Sequence, residues 1–168
     1  DRMDLLAGDL ILLMPVRVTQ AKNIELALRV VAALKAQGRD VRLVLTGPPD
    51  PHDEKSMSYF RELQALRGEL GIETEMRFVY ESGPNGEDGF TIDMTVVADL
   101  FRVSDVVFMP SHREGFGMPV LEAGLVGKPM VCTEVPAAQE IGGKDVMIID
   151  PGGDPEEIAE RMLSLVEG

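Results

Sequence analysis

Short apolar runs alternate along this chain with segments whose apolar positions recur at helical spacing. The runs are apolar almost throughout, which is typical of strands buried on both faces of a parallel sheet. Repeated alternation of strand and helix predicts an α/β fold in which helices cover both faces of that sheet. The predicted strands lie at residues 10–14, 41–45, 76–79, 106–109, 129–132 and 146–149.

The predicted helices have recognisable ends as well as apolar stripes. In the last helix, Asp154 suits the N-cap and Pro155 the first helical position. An earlier helix has Asp53 as a plausible cap and Gly71 as its stop. The stripes predict helices around residues 24–34, 60–70, 96–101 and 154–165.

Length and composition indicate one domain, because 168 residues with 45% hydrophobic content can bury a substantial core. The sequence begins at Asp1, so we expect it to be part of a longer protein, and no apolar run reaches the length of a membrane span. The single cysteine, Cys132, is interpreted as a core residue rather than a nucleophile, and it permits a reducing compartment. A net charge of −13 argues against broad nucleic-acid binding but not against one local anion site.

Two cations follow the first predicted strand, at the edge where parallel sheets bind ligands. Arg17 and Lys22 come shortly before the next predicted helix. Positive charge is unfavourable near a helix N-terminus unless an anion such as phosphate is also present. Solvated loop residues are the alternative interpretation, and the local sequence does not separate the two.

Two carboxylates bracket a glycine-containing turn after the fourth predicted strand. Glu114 and Glu122 stand at the ends of the sequence EGFGMPVLE. Between Met118 and Gly127, Glu122 is the only charged side chain, so an otherwise apolar predicted helix carries one carboxylate in its first turn. The amides and dipole of the helix N-terminus stabilise this charge in part, and a ligand could supply the rest.

Signatures of several other chemistries are missing from the sequence. No Gly-x-Gly-x-x-Gly follows a predicted strand, and residues 124–129 lack the spacing and the hydroxyl of a phosphate-cradling loop. His52 and His112 form no metal-ligand cluster with the scattered acids, and no Gly-x-Ser-x-Gly presents a nucleophile. His112 is interpreted as an exposed loop residue, with hydrogen bonding to a ligand as the alternative. The acidic, glycine-rich residues 80–93 predict a surface loop.

The segment from Glu114 to Glu122 resembles the E-x7-E motif of retaining glycosyltransferases with the two-domain GT-B fold, specifically the large group 1 (family 4) set. Arg17 and Lys22 resemble the cation pair after the first strand of that family's nucleotide-binding domain. The similarity covers essentially the whole chain. Further agreement is found at Thr46–Gly47, Pro110–Ser111, Gly127–Pro129, Glu140–Ile141 and Asp150–Pro151.

Three places depart from the family pattern. Asn23 stands where glycine often follows the lysine, and Pro136–Ala137 stands where a glycine pair is common. The loop at residues 80–93 is extended, which leaves recognition of the nucleotide base unassigned.

The resemblance implies a C-terminal donor-binding domain spanning residues 1–168, with a three-layer, Rossmann-like, doubly wound parallel sheet of about six strands. It implies that Arg17 and Lys22 hold the diphosphate of a nucleoside-diphosphate sugar, and that Glu114 lies beside the transferred sugar. Glu122 would accept hydrogen bonds from the ribose hydroxyls. No metal or other cofactor would be required. The rest of the donor site would come from Gly115, Phe116, Gly117, Met118 and Pro119.

The resemblance also implies an N-terminal acceptor domain outside this chain, without which transfer should be weak or absent. A cytoplasmic protein is expected, and any contact with a membrane would come through the missing domain because this one is acidic. The alternatives are a non-catalytic nucleotide-sugar-binding module, or half of a nucleotide-sugar epimerase or phosphorylase. Glu114 separates catalysis from sensing, because a sensing module could lose this side chain without consequence.

Overall fold

The computed structural model describes residues 8–82, 89, 94–112, 128–133 and 146–167. The strand bounds agree with the predicted ones except at β3, which is one residue shorter, and β5, which is shifted by one residue. The strands are β1 Leu10–Met14, β2 Val41–Leu45, β3 Met76–Phe78, β4 Val106–Met109, β5 Met130–Thr133 and β6 Val146–Ile149, and the helices are α1 Ile24–Ala36, α2 Glu54–Leu70, α3 Met94–Val103 and α4 Pro155–Glu167.

The six strands form one parallel sheet in the order β3-β2-β1-β4-β5-β6. Strands β1, β2, β4 and β5 are buried along their whole length, which explains why their sequences are apolar apart from Arg42 in β2 and Thr133 at the end of β5. Cys132 lies in this core at 2% exposure, as predicted. The order and direction of the strands confirm the predicted Rossmann-like α/β architecture.

Helix α1 packs against α2 on one side and against α4 on the other. The ends of these helices follow the sequence signals: the Asp53 carboxylate accepts a hydrogen bond from the amide of Lys55 at 3.0 Å, and Gly71 closes α2 in the left-handed conformation. Helix α4 begins at Pro155, as expected. Within the described ranges, no helix combines the length and apolar character that crossing a bilayer requires.

Candidate functional site

The carboxyl ends of β1 and β4 mark the place where the order of the sheet reverses. From β1 the chain runs outward through β2 and β3, and it returns to the other side of β1 as β4. Loops that leave such a pair of strands diverge and open a crevice, which is where ligands bind in open α/β sheets. Arg17 and Lys22 follow β1, and residues 110–112 follow β4 and lead into the Glu114 motif. Both halves of the predicted site therefore leave neighbouring strands.

The two predicted cations have different surroundings. Arg17 is exposed, and its guanidinium has no hydrogen bond or ion pair among the described residues. Lys22 is half-buried and is the last residue of a 3₁₀ turn, Gln20–Lys22, that comes directly before α1. Its charge lies directly before the amino end of α1, as the sequence predicts.

Gly47 brings the loop after β2 into direct backbone contact with the segment that carries Arg17. The Gly47 amide donates a hydrogen bond to the carbonyl oxygen of Val16 at 2.9 Å. A Cβ atom at this position would lie 2.4 Å from that oxygen and 2.7 Å from the Cα atom of Arg17. Only glycine permits this approach, because the atoms in the way belong to backbone and cannot rotate aside.

Hydrogen bonds join the loops at the carboxyl edge of the sheet. The amide of His112, after β4, donates to the carbonyl of Ala21 at 2.8 Å. The Asn23 side-chain amide donates to the carbonyl of Pro110 at 2.9 Å and to that of Pro151 at 3.0 Å. The Thr133 hydroxyl, at the end of β5, donates to the carbonyl of Ser111 at 2.8 Å. The ends of β1, β4, β5 and β6 are thereby linked in one network.

Asn23 is the site residue whose role the sequence analysis missed. It is 5% exposed and adopts the left-handed conformation, with φ 54° and ψ 47°. Glycine and asparagine are the residues that tolerate this conformation best, which explains why asparagine can stand where the family often has glycine. The backbone at Asn23 therefore has a conformation that glycine also adopts readily.

A cavity of about 590 Å³ opens beside Arg17, between the loop after β1 and the start of α2. Polar side chains contribute to both walls, Thr19 and Gln20 from the loop and Asp53 and Ser56 from the start of α2, although more of the accessible lining is apolar than polar. Of the predicted site residues within the described ranges, Arg17 alone faces this cavity.

Tyr59 forms part of the cavity wall and connects the two helices behind it. Its ring is 5% exposed, and its hydroxyl donates a hydrogen bond to the Glu25 carboxylate on α1. Burial, and next the hydrogen bond to Glu25, raise the pKa of the Tyr59 hydroxyl well above its usual value. The phenol therefore stays protonated at neutral pH and acts as a donor rather than a base.

The prediction that a surface loop begins at residue 80 is wrong for Tyr80 and Glu81, which belong to a 3₁₀ turn packed against α2. Tyr80 is 8% exposed and packs edge-on against the ring of Phe60 at 5.4 Å between centroids. Glu81 is the last residue of the 3₁₀ turn Val79–Glu81, and it forms an ion pair with Arg67 of α2. Aromatic packing and a partly buried ion pair therefore fix the residues that leave β3.

Comparison with known families shows which family the chain belongs to. The sequence profile described as "Glycosyl transferases group 1" matches residues 4–168, nearly the whole chain. The chain belongs to the group 1 glycosyltransferases. The resemblance predicted from the Glu114–Glu122 motif and the cation pair is therefore confirmed at the level of the family.

Individual relatives agree with this assignment. A D-inositol 3-phosphate glycosyltransferase from Corynebacterium jeikeium is 30% identical over 155 residues, which are 89% of this chain and 33% of the relative. The C-terminal domain of a group 1 glycosyltransferase from Francisella tularensis has a similar fold, with a TM-score of 0.77, 21% identity, and coverage of 100% of this chain and 83% of that one. An Anabaena protein solved in complex with UDP gives a TM-score of 0.74 at 23% identity, over 99% of this chain and 43% of that one.

This chain spans about one third of the length of the curated glycosyltransferases that it matches. Several predicted positions of the family motif lie outside the described residues. These are Glu114, Glu122, residues 115–119, Gly127, the pair Pro136–Ala137 and the pair Glu140–Ile141. Their assignments stay predictions from the sequence.

Proposed function

We propose that this chain is the donor-binding half of a retaining glycosyltransferase, which moves a sugar from a nucleoside-diphosphate sugar to an acceptor hydroxyl. The observation that carries the proposal is the placement of Arg17, exposed on a loop that is hydrogen-bonded to the end of β4 at the reversal point of the sheet. Membership of the glycosyltransferase family supports it. So does the similarity in fold to a protein solved with UDP.

In this proposal Arg17 and Lys22 hold the diphosphate. Negative charge grows on the leaving diphosphate as the glycosidic bond breaks, so fixed cations stabilise the transition state more than the ground state. The close contact at Gly47 and the hydrogen bond from His112 to Ala21 restrict the loop that carries both cations. A divalent metal is not needed to neutralise that charge.

The acidic motif would supply the remaining contacts to the donor. Glu122 would accept hydrogen bonds from both ribose hydroxyls, which suits a carboxylate with two acceptor oxygens. Glu114 would lie beside the transferred sugar and stabilise positive charge at its anomeric carbon. Glycines in the turn Gly115–Pro119 would allow the backbone to approach the ligand, and amides at the start of the following helix would bind phosphate.

The acceptor would be bound by a second α/β domain of a longer protein. Relatives that are about three times as long as the matched region support this arrangement. The present chain alone would then bind the donor but transfer sugar weakly or not at all, because the domain that binds the acceptor and closes the cleft is needed for transfer.

Calorimetric titration of this chain with UDP, GDP and ADP, with and without magnesium, tests the proposal. We expect saturable binding of one nucleotide without magnesium. Arg17→Ala should weaken this binding by about 10- to 100-fold, because a charge-assisted hydrogen bond to phosphate is worth about 1.5–3 kcal/mol. Glu122→Ala should also weaken binding.

Arg102→Ala is the matched control. It removes the same charge from the last turn of α3, just before β4 begins, where the ion pair of Arg102 with Asp99 is exposed. We expect unchanged nucleotide affinity in this variant. Absence of binding by the folded wild-type chain, or equal losses in Arg17→Ala and Arg102→Ala, would contradict the donor-site assignment.

A further inference from the structure

The Asn23 side chain connects segments at the carboxyl edge of the sheet that are far apart in sequence. Its amide nitrogen reaches the carbonyl of Pro110, 87 positions away along the chain, and the carbonyl of Pro151, 128 positions away. Both N–H groups of the amide are used, and the side chain is 5% exposed. A buried polar group with both donors satisfied at 2.9 and 3.0 Å is a specific structural feature rather than a solvated one.

The left-handed backbone alone does not require this side chain. Glycine adopts φ near 54° without strain but has no side-chain donor. Aspartate has a similar size, but its oxygens would face two carbonyl oxygens and repel them. Asparagine combines tolerance of this conformation with two amide donors. The side chain at position 23 is therefore explained by its hydrogen bonds to Pro110 and Pro151 rather than by the backbone conformation.

The connection acts on the segment that carries the cations. Asn23 directly follows Lys22, and its backbone amide closes the 3₁₀ turn on the carbonyl of Gln20 at 3.2 Å. The same turn accepts the hydrogen bond from the His112 amide through Ala21. The Asn23 amide therefore fixes this turn against the chain that leaves β4 and against the loop after β6.

Loss of the amide would leave the carbonyl of Pro110 buried without its partner. An unpaired buried acceptor is unfavourable, so the turn would shift or admit water. Small displacements of binding groups have large effects on a preorganised site.

We propose that Asn23 is a positioning residue of the donor site. Its side-chain amide holds the Arg17–Lys22 segment in a fixed position relative to the ends of β4 and β6. This inference rests on the proposed function for its effect on nucleotide binding. The connection itself rests on the geometry of the unliganded chain.

The first test compares nucleotide affinity in Asn23→Gly, Asn23→Asp and Ser104→Ala. Asn23→Gly keeps the backbone conformation and removes both donors, so we expect about tenfold weaker binding of the nucleoside diphosphate, because the turn that carries Lys22 is no longer held in its binding position. Asn23→Asp should bind at least as weakly. Nucleotide affinity in Asn23→Gly equal to that of the wild type would overturn the proposal.

Ser104→Ala is the control for general destabilisation. The Ser104 hydroxyl is 1% exposed and donates to the carbonyl of Phe101 at 2.9 Å, just before β4 begins. This variant also loses a buried side-chain hydrogen bond, but at the opposite edge of the sheet. We expect nucleotide affinity within twofold of wild type, because the connection at the carboxyl edge is intact.

Hydrogen–deuterium exchange without nucleotide provides the second test. In Asn23→Gly the His112 amide, which donates to Ala21, should exchange faster than in wild type, whereas Ser104→Ala should leave it unchanged. Unchanged exchange at His112 in Asn23→Gly would overturn the positioning role. If the wild-type chain binds no nucleotide, the proposed function fails, and the exchange rates alone decide whether Asn23 holds this edge together.

Discussion

At the scale of single residues, the site depends on contacts between backbone segments that are far apart in sequence. Arg17 is held from one side by Gly47, whose missing side chain lets two loops touch. Thr46–Gly47 agrees with the family pattern in the sequence, but the physical reason for the glycine appears only in the fold. The reason could not be obtained from local sequence, because it depends on which loops the sheet order brings together.

Gly47→Ala tests this contact. The added methyl group would overlap the backbone at Val16 and force the Arg17 segment to move. We expect the free energy of unfolding to fall by about 1–3 kcal/mol, the usual cost of overpacking. Nucleotide affinity should fall with it, because the displaced segment carries Arg17, for which we propose a contact with phosphate. Urea denaturation and nucleotide titration measure the two effects.

Gly68→Ala is the control for this substitution. Gly68 lies within α2, and no atom stands within 4 Å of the position of its would-be Cβ. Alanine there should stabilise the protein by up to about 1 kcal/mol and leave nucleotide affinity unchanged. A Gly47→Ala variant that behaved like Gly68→Ala would show that the close contact does not constrain Arg17.

At the scale of elements, the strands were predictable because strands that are buried on both faces have almost entirely apolar sequences. The 3₁₀ turn Gln20–Lys22 was not, because three residues have no periodicity to detect. The predicted surface loop began too early for a related reason. The burial of Tyr80 and the ion pair of Glu81 come from α2, which local sequence cannot reveal.

The contact between α1 and α2 predicts a specific pH dependence of stability. Burial and the hydrogen bond to Glu25 raise the folded-state pKa of Tyr59, while in the unfolded chain tyrosine ionises near pH 10. The contribution of this residue to stability is therefore complete below about pH 10 and is lost as pH rises further, because the unfolded state releases the proton first.

Tyr59→Phe isolates that contribution. The variant lacks the hydrogen bond to Glu25, so we expect about 1 kcal/mol lower stability at pH 7. Above about pH 10 its stability should decline less steeply with pH than that of wild type. Unfolding free energies from urea titrations at several pH values provide the comparison. Parallel curves for the two proteins would contradict the role given to the Tyr59 hydroxyl.

At the scale of the whole molecule, the order of the strands reverses between β1 and β4, which is where open α/β sheets bind ligands, and the last helix packs on α1. The chain carries a net charge of −13, so a diphosphate in the proposed site would be held by local cations and amides rather than attracted by the overall field. The architecture was predictable from the alternation of strands and helices. The connection made by Asn23 across three loops was not, since it depends on the finished sheet.

Hydrogen–deuterium exchange of this chain, with and without the nucleoside diphosphate that binds best, shows where the nucleotide lies on the sheet. We predict protection of the amides at residues 16–22 and 111–112, at the carboxyl ends of β1 and β4, and unchanged exchange at residues 103–105 before β4 begins. Protection confined to residues 50–62, across the cavity from Arg17, would contradict a diphosphate site at the reversal point of the sheet.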